Sequence, residues 1–158
     1  MFELVLIRHA HAKPAEGDET DMDRALSNPG QVEGWTTGAW LHARRSQPER
    51  VLCSPARRTR ETMEAVMRSM GPLPMRLEPA IYEASTGELI TLVDNNRDAD
   101  SLWVVGHNPG LEQLVALLAD GRTGDYRGMS PGSVAVLHFP KEAEIEPGVA
   151  TLVDFWSP

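Results

Sequence analysis

The sequence predicts an α/β fold, a three-layer sandwich with a mostly parallel central sheet, an antiparallel edge and helices on both faces. Short apolar runs bounded by turn residues alternate with helical patterns, the order that builds such a sandwich. The first three strong runs lack polar alternation, as parallel strands covered on both faces do. The last two runs follow one another without a helix, which makes the antiparallel edge.

The elements follow in order. Strands are expected at Leu4–Arg8, Arg50–Cys53, Leu102–Gly106, Ser133–Phe139 and Val149–Phe155, with a weaker one at Met75–Leu77. Helices are expected at Pro29–Ala43, Pro55–Met70, Gly87–Asn95 and Pro109–Leu118. Asn28-Pro29, Ser54-Pro55 and Asn108-Pro109 each offer a capping side chain before a proline at the first helical position. Ser85 and Glu88 have capping-box spacing. Two of these helix starts directly follow strand ends, so free N–H groups collect at the carboxyl edge of the sheet, where α/β proteins bind phosphate.

Composition bounds the function. The 158 residues suit one domain spanning 1–158, too short for a (β/α)₈ barrel of about 250 residues. With 41% hydrophobic and 24% charged residues and no apolar run near the roughly 18 residues of a membrane span, no membrane partner is expected. The first residues include an acid and only a short apolar stretch, unlike a signal peptide. A single cysteine, Cys53, excludes an internal disulfide and fits a reducing cytosol, so a cytoplasmic location is expected. A net charge of −8 argues against a nucleic-acid partner. The bases are nonetheless bunched at Arg44-Arg45 and Arg57-Arg58-Thr59-Arg60, as an anion site would require.

Candidate chemistry gathers at strand ends. Arg8-His9-Ala10-His11 closes the first strand, where an arginine can hold an anion that the neighbouring imidazole attacks. Gly106-His107-Asn108 closes another, at the same edge of the sheet. On the helix after Pro55, Arg57, Arg60, Glu61, Glu64 and Arg68 form a polar stripe, and Met63, Val66, Met67 and Met70 an apolar one. Arg58 belongs to neither and lies among Thr62, Ala65 and Ser69, small neighbours beside which its guanidinium can turn to the sheet edge.

Rival signals are weaker. His9-x-His11 has metal-ligand spacing, but the chain is too short for the barrel that uses it, so no metal and no cofactor are expected. Gly128-Met129-Ser130-Pro131-Gly132 spells a nucleophile elbow but precedes a strand, and Pro131 lacks the N–H an oxyanion hole needs, so Ser130 is read as a turn residue. Cys53 has Thr59 rather than arginine six positions on, so it is read as a buried strand residue and not a phosphatase nucleophile. His42 and His138 have no visible partner.

Arg8-His9-Ala10, Ser54-Pro55-Ala56-Arg57-Arg58-Thr59-Arg60-Glu61-Thr62 and Gly106-His107-Asn108 resemble the Arg-His-Gly/Ala, Ser-Pro-x-x-Arg-x-x-x-Thr and Gly-His motifs of the histidine phosphatase, or phosphoglycerate-mutase-like, superfamily. Asp23-Arg24-Ala25-Leu26-Ser27 with Gly30 resembles a segment of its small SixA-type phosphohistidine phosphatases. The resemblance implies that His9 is the nucleophile and that Arg8, Arg58 and His107 bind the phosphate oxygens. It further implies that Glu83 is the general acid and that a protein phosphohistidine is the substrate. The positive neighbours should keep His9 neutral. A small phosphate ester as substrate, and a non-catalytic phosphoprotein-binding module, remain the alternatives.

Overall fold

The computed structural model describes residues 1–123 and 128–158. Its strands are β1 (Phe2–Arg8), β2 (Arg50–Cys53), β3 (Met75–Leu77), β4 (Ser101–Gly106), β5 (Val134–Phe139) and β6 (Thr151–Trp156). Its helices are α1 (Asn28–Ala43), α2 (Arg57–Met70), α3 (Thr86–Asp94) and α4 (Gly110–Asp120). Two single 3₁₀ turns, Asp21–Asp23 and Pro79–Ile81, were not foreseen.

The six strands lie in the order β3-β2-β4-β1-β5-β6. β3, β2, β4 and β1 run parallel, whereas β5 and β6 are antiparallel, as the missing crossover helix between them requires. Alternate residues of each central strand feed opposite faces. Leu4, Leu6, Leu102 and Val104 pack with Leu89, Leu92, Leu111 and Leu114 of α3 and α4. Val5, Ile7, Trp103 and Val105 pack with Leu41 of α1 and Met63 and Val66 of α2. The three-layer sandwich is therefore as the sequence indicates.

α1 and α2 touch closely because α1 presents glycine where α2 presents backbone. A Cβ at Gly38 would stand 2.8 Å from the Cα and carbonyl oxygen of Val66. Backbone cannot yield as a flexible side chain does. Gly38→Ala is therefore expected to lower stability by about 1–3 kcal/mol, although alanine is the better helix former. A lower urea midpoint with unchanged slope would show it.

The helix starts differ from the sequence expectation. Ser27, not Asn28, caps α1, its Oγ accepting from Gly30 N–H at 3.0 Å. α2 starts two residues after Pro55 and α4 starts after Pro109. The reason at Ser54 is competition, since its hydroxyl lies 2.8 Å from His107 Nε2. Asn108 still serves α4 from outside, its Oδ1 accepting from Glu112 N–H at 3.3 Å. Only Ser85 makes the full expected box with Glu88.

Candidate active site

The site is built by register. β1 and β4 pair in parallel with Arg8 opposite Gly106, and His9 N–H donates to the Gly106 carbonyl at 3.1 Å. His9 and His107, each the next residue along, therefore stand side by side, with ring centroids 5.3 Å apart. α2 is tied to the same edge by Thr62, whose Oγ1 accepts from Ala10 N–H at 3.0 Å and donates to the Arg58 carbonyl at 2.7 Å. That bond holds the first turns of α2, and so Arg58, against the end of β1.

The tautomer of His9 is fixed by its neighbour. Nδ1 lies 2.7 Å from the Ala10 carbonyl oxygen, which can only accept, so Nδ1 carries the proton and Nε2 the lone pair. Ser54 Oγ accepts from Ala56 N–H at 3.3 Å and lies 2.8 Å from His107 Nε2; where the hydroxyl donates to that nitrogen, the neutral imidazole carries its proton on Nδ1. Among the described residues, His107 Nδ1, Arg8 Nε and Arg58 Nε are buried side-chain nitrogens without a hydrogen-bond partner. Unmet donors at one sheet edge are what an anion site looks like before its anion arrives.

The arginines take different parts. Arg8 Nη1 donates to the Met129 carbonyl at 2.6 Å, which Asn108 Nδ2 also reaches at 2.8 Å. Arg58 is buried and gives both Nη groups to Asp21, Nη1 to its carbonyl at 2.8 Å and Nη2 to Oδ2 at 3.0 Å. Arg57 pairs with Glu61 at 3.2 Å on the exposed stripe, and Arg60 turns back to the Pro55 carbonyl. Of the other bunched pair, Arg44 salt-bridges Asp154 at 2.9 Å, away from the site.

A cavity of about 350 Å³ opens from Arg58 and His107, edged by Asp21, Tyr82 and Glu83. Its apolar wall includes Leu89 and Leu111. Glu83 is exposed and has a left-handed backbone, φ +58°, where the chain turns from the second 3₁₀ turn toward the Ser85 cap. The sequence reading missed Asp21 and Tyr82. The Tyr82 hydroxyl donates to Asp21 Oδ2 at 2.5 Å, and the Tyr82 ring meets His107 edge-on at 5.6 Å.

Known proteins share this fold. The sequence profile described as Histidine phosphatase superfamily (branch 1) matches residues 4–100. The chain belongs to the histidine phosphatase superfamily. The uncharacterised protein Rv1276c of Mycobacterium tuberculosis is 33% identical over 94% of this chain and 98% of its own. The crystal structure of the proposed phosphohistidine phosphatase SixA from Agrobacterium tumefaciens superposes with a TM-score of 0.83 at 26% identity, over 99% of both chains. The proposed SixA of Nakamurella multipartitia gives 0.83 at 27%, over 99% of this chain and 96% of that one. The fold and a phosphatase class of activity follow from this membership.

In this histidine phosphatase, burial is the chief reason that His9 is held down to about 4 from an ordinary 6.5; Arg58, Arg8 and Arg24 push the same way, and the Ala10 carbonyl opposes them. The sequence reading had the direction right but gave the arginines first place. His107 is held down to about 3, again by burial first and then by His9 and Arg58. Both imidazoles are thus neutral wherever ordinary histidines titrate. The unfolded chain then binds protons before the folded one as pH falls, so stability is full above about 6.5 and is lost from there toward 4 and 3. Urea midpoints that drop between about pH 6.5 and 4 in this chain, and drop less in His9→Ala, would check it.

The other residues singled out by the sequence lie outside this cluster. Cys53 is fully buried, and burial pushes its thiol up to about 12, an inert strand residue. His11 is exposed, its Nδ1 2.7 Å from Ser27 Oγ. Ser130 sits in a turn with its hydroxyl near Ser133 and Ser157. His138, without a visible partner in the sequence, meets Glu3 at 2.7 Å. Among the described residues no helix is long and apolar enough to cross a membrane, and no group of three or more His, Cys, Asp or Glu is placed to hold a metal ion.

Proposed function

We propose that this chain is a metal-independent phosphatase of the cytoplasm that removes the phosphoryl group of protein phosphohistidine through a phosphohistidine intermediate on His9. The observation that carries the reading is the His9 tautomer: Nδ1 is committed to the Ala10 carbonyl, so a neutral imidazole offers Nε2 to phosphorus. Beside it, Arg8, Arg58 and His107 supply the unmet buried donors that a phosphoryl group would satisfy. Phosphoryl transfer asks the protein mainly for in-line positioning and charge stabilisation, which these groups provide.

In the first step the Nε2 lone pair forms the new N–P bond while the bond from phosphorus to the substrate nitrogen breaks, its electron pair leaving with that nitrogen. In the second, a water oxygen bonds to phosphorus as the Nε2–P bond breaks, its electron pair returning to Nε2; inorganic phosphate departs, and the proton lost by water passes to Glu83 and then to solvent. Glu83, exposed at the cavity rim, is the acid for leaving groups that need a proton, and the base for the attacking water. An Asp21 side chain 52% exposed leaves the mouth open to water, which favours hydrolysis over retention of the phosphoenzyme. The similarity to SixA proteins described as phosphohistidine phosphatases supports the substrate class.

A side-by-side assay of phosphohistidine protein and a panel of phosphate monoesters, run with and without chelator, tests this. The phosphohistidine protein is expected to give the highest kcat/KM, unchanged by chelator. A small ester turned over better, or loss of activity in chelator, would contradict the substrate or the metal-free claim respectively.

A further inference from the structure

Asp21 and Tyr82 form no bond in the steps above, yet they line the cavity that opens from Arg58 and His107, the space next to the phosphate site that a leaving group can occupy. The Asp21 carboxylate accepts from Tyr82 Oη, Arg58 Nη2 and Arg24 Nη1, the last at 3.1 Å on Oδ1. The Asp21 side chain is half exposed, and Oδ1, which holds one donor, can accept another. Arg58 gives one N–H of each Nη to Asp21, which leaves three of its five donors for phosphoryl oxygens, among them the Nε that is buried and unpartnered among the described residues.

The cavity lining carries two carboxylates, Asp21 and Glu83, and one cation, Arg58. Once a phosphoryl dianion occupies Arg58 and Arg8, the charge facing the leaving group is negative. Water screens charges less in a concave pocket than on an open surface, so the sign of the leaving group matters there.

We propose that Asp21 is the specificity-determining residue of this cavity, favouring leaving groups that bring a positive, N–H-bearing nitrogen and disfavouring anionic ones. The inference rests on the reading of the chain as a phosphatase acting through His9. A phosphoimidazole protonated on its far nitrogen presents such an N–H. When its P–N bond breaks, the electron pair stays on the departing nitrogen and neutral imidazole leaves with the far proton still in place. Asp21 holds that proton through its hydrogen bond, and Glu83 need not supply one. The Tyr82 hydroxyl keeps the carboxylate ionised and in position, holding Asp21 well below the usual carboxylate range.

The test compares three substrates: a phosphohistidine peptide, phenyl phosphate and 4-carboxyphenyl phosphate. In Asp21→Asn the ratio of kcat/KM for the phosphohistidine peptide to that for 4-carboxyphenyl phosphate should fall by about tenfold or more, with phenyl phosphate between. The ratio does not depend on the fraction of molecules folded. Equal loss on all three would overturn the proposal and leave Asp21 as a residue that only positions Arg58. Failure of the unaltered protein on all three substrates would instead overturn the phosphatase reading, and this proposal with it.

Discussion

His9→Ala is expected to abolish turnover on every phosphate substrate, by about 10⁴-fold or more, because removing a covalent nucleophile leaves only binding and charge stabilisation. The loss should fall on kcat. Arg8, Arg58 and His107 remain, so the variant should still bind phosphate or vanadate, which calorimetry can read. A variant that keeps a tenth of the activity would mean that water attacks phosphorus directly, and the fixed His9 tautomer would then have no catalytic meaning. The imidazole is held neutral chiefly by burial. Its replacement therefore removes a group that costs stability in acid, and His9→Ala should be the more acid-tolerant protein even as it loses its chemistry.

Arg58→Lys is the second large effect, expected to lower kcat/KM by about 10²–10³-fold, the usual scale for losing one anion-stabilising donor set. Charge is conserved in this substitution, so the effect isolates geometry. The guanidinium satisfies the Asp21 carbonyl and carboxylate with its Nη groups and keeps Nε free. An ammonium is a point charge on a flexible stem and cannot hold Asp21 on one side while presenting a fixed planar edge on the other. Steady-state kinetics with an aryl phosphate would measure the loss. Arg57→Ala, on the exposed stripe where that side chain pairs with Glu61, should cost less than about threefold in the same assay.

Much of this site was legible in the sequence because it rests on strand ends. Uninterrupted apolar runs identify β1 and β4 as buried parallel strands, and whatever follows two neighbouring parallel strands must meet at one sheet edge. That places His9 and His107 at the same edge, whereas their standing side by side depends on the β1–β4 pairing, which the sequence did not disclose. Helical phase did the same for Arg58, the one arginine of its cluster that points neither to solvent nor to the core. The phase argument works there because Thr62, one turn on, is small and its hydroxyl is needed by Ala10.

What the sequence did not disclose depends on contacts between distant segments. Asp21 lies in a single 3₁₀ turn after β1, and Tyr82 follows another such turn 61 residues later. Neither turn has a hydrophobic period, and nothing local announces that the two side chains meet over Arg58. Asp21 could have been suspected from the neighbouring Asp23-Arg24-Ala25-Leu26-Ser27 segment, but its partner could not. One helix start was misplaced for a related reason: the Ser54 hydroxyl lies against His107 at the site, 2.8 Å from its Nε2, and α2 begins two residues past Pro55. The leading cause of the neutral His9 was also hidden, since burial depends on packing whereas charge can be counted along the chain.

The central claim is a covalent phosphoryl group on His9, and its most direct test is to trap it. Rapid acid-free quenching of a single turnover, followed by peptide mass spectrometry under alkaline conditions, should find phosphate on His9 Nε2, rising and decaying within the turnover and absent from His107→Ala only to the extent that its formation slows. Phosphate trapped on another residue, or turnover with no phosphoenzyme formed at any time, would contradict the account.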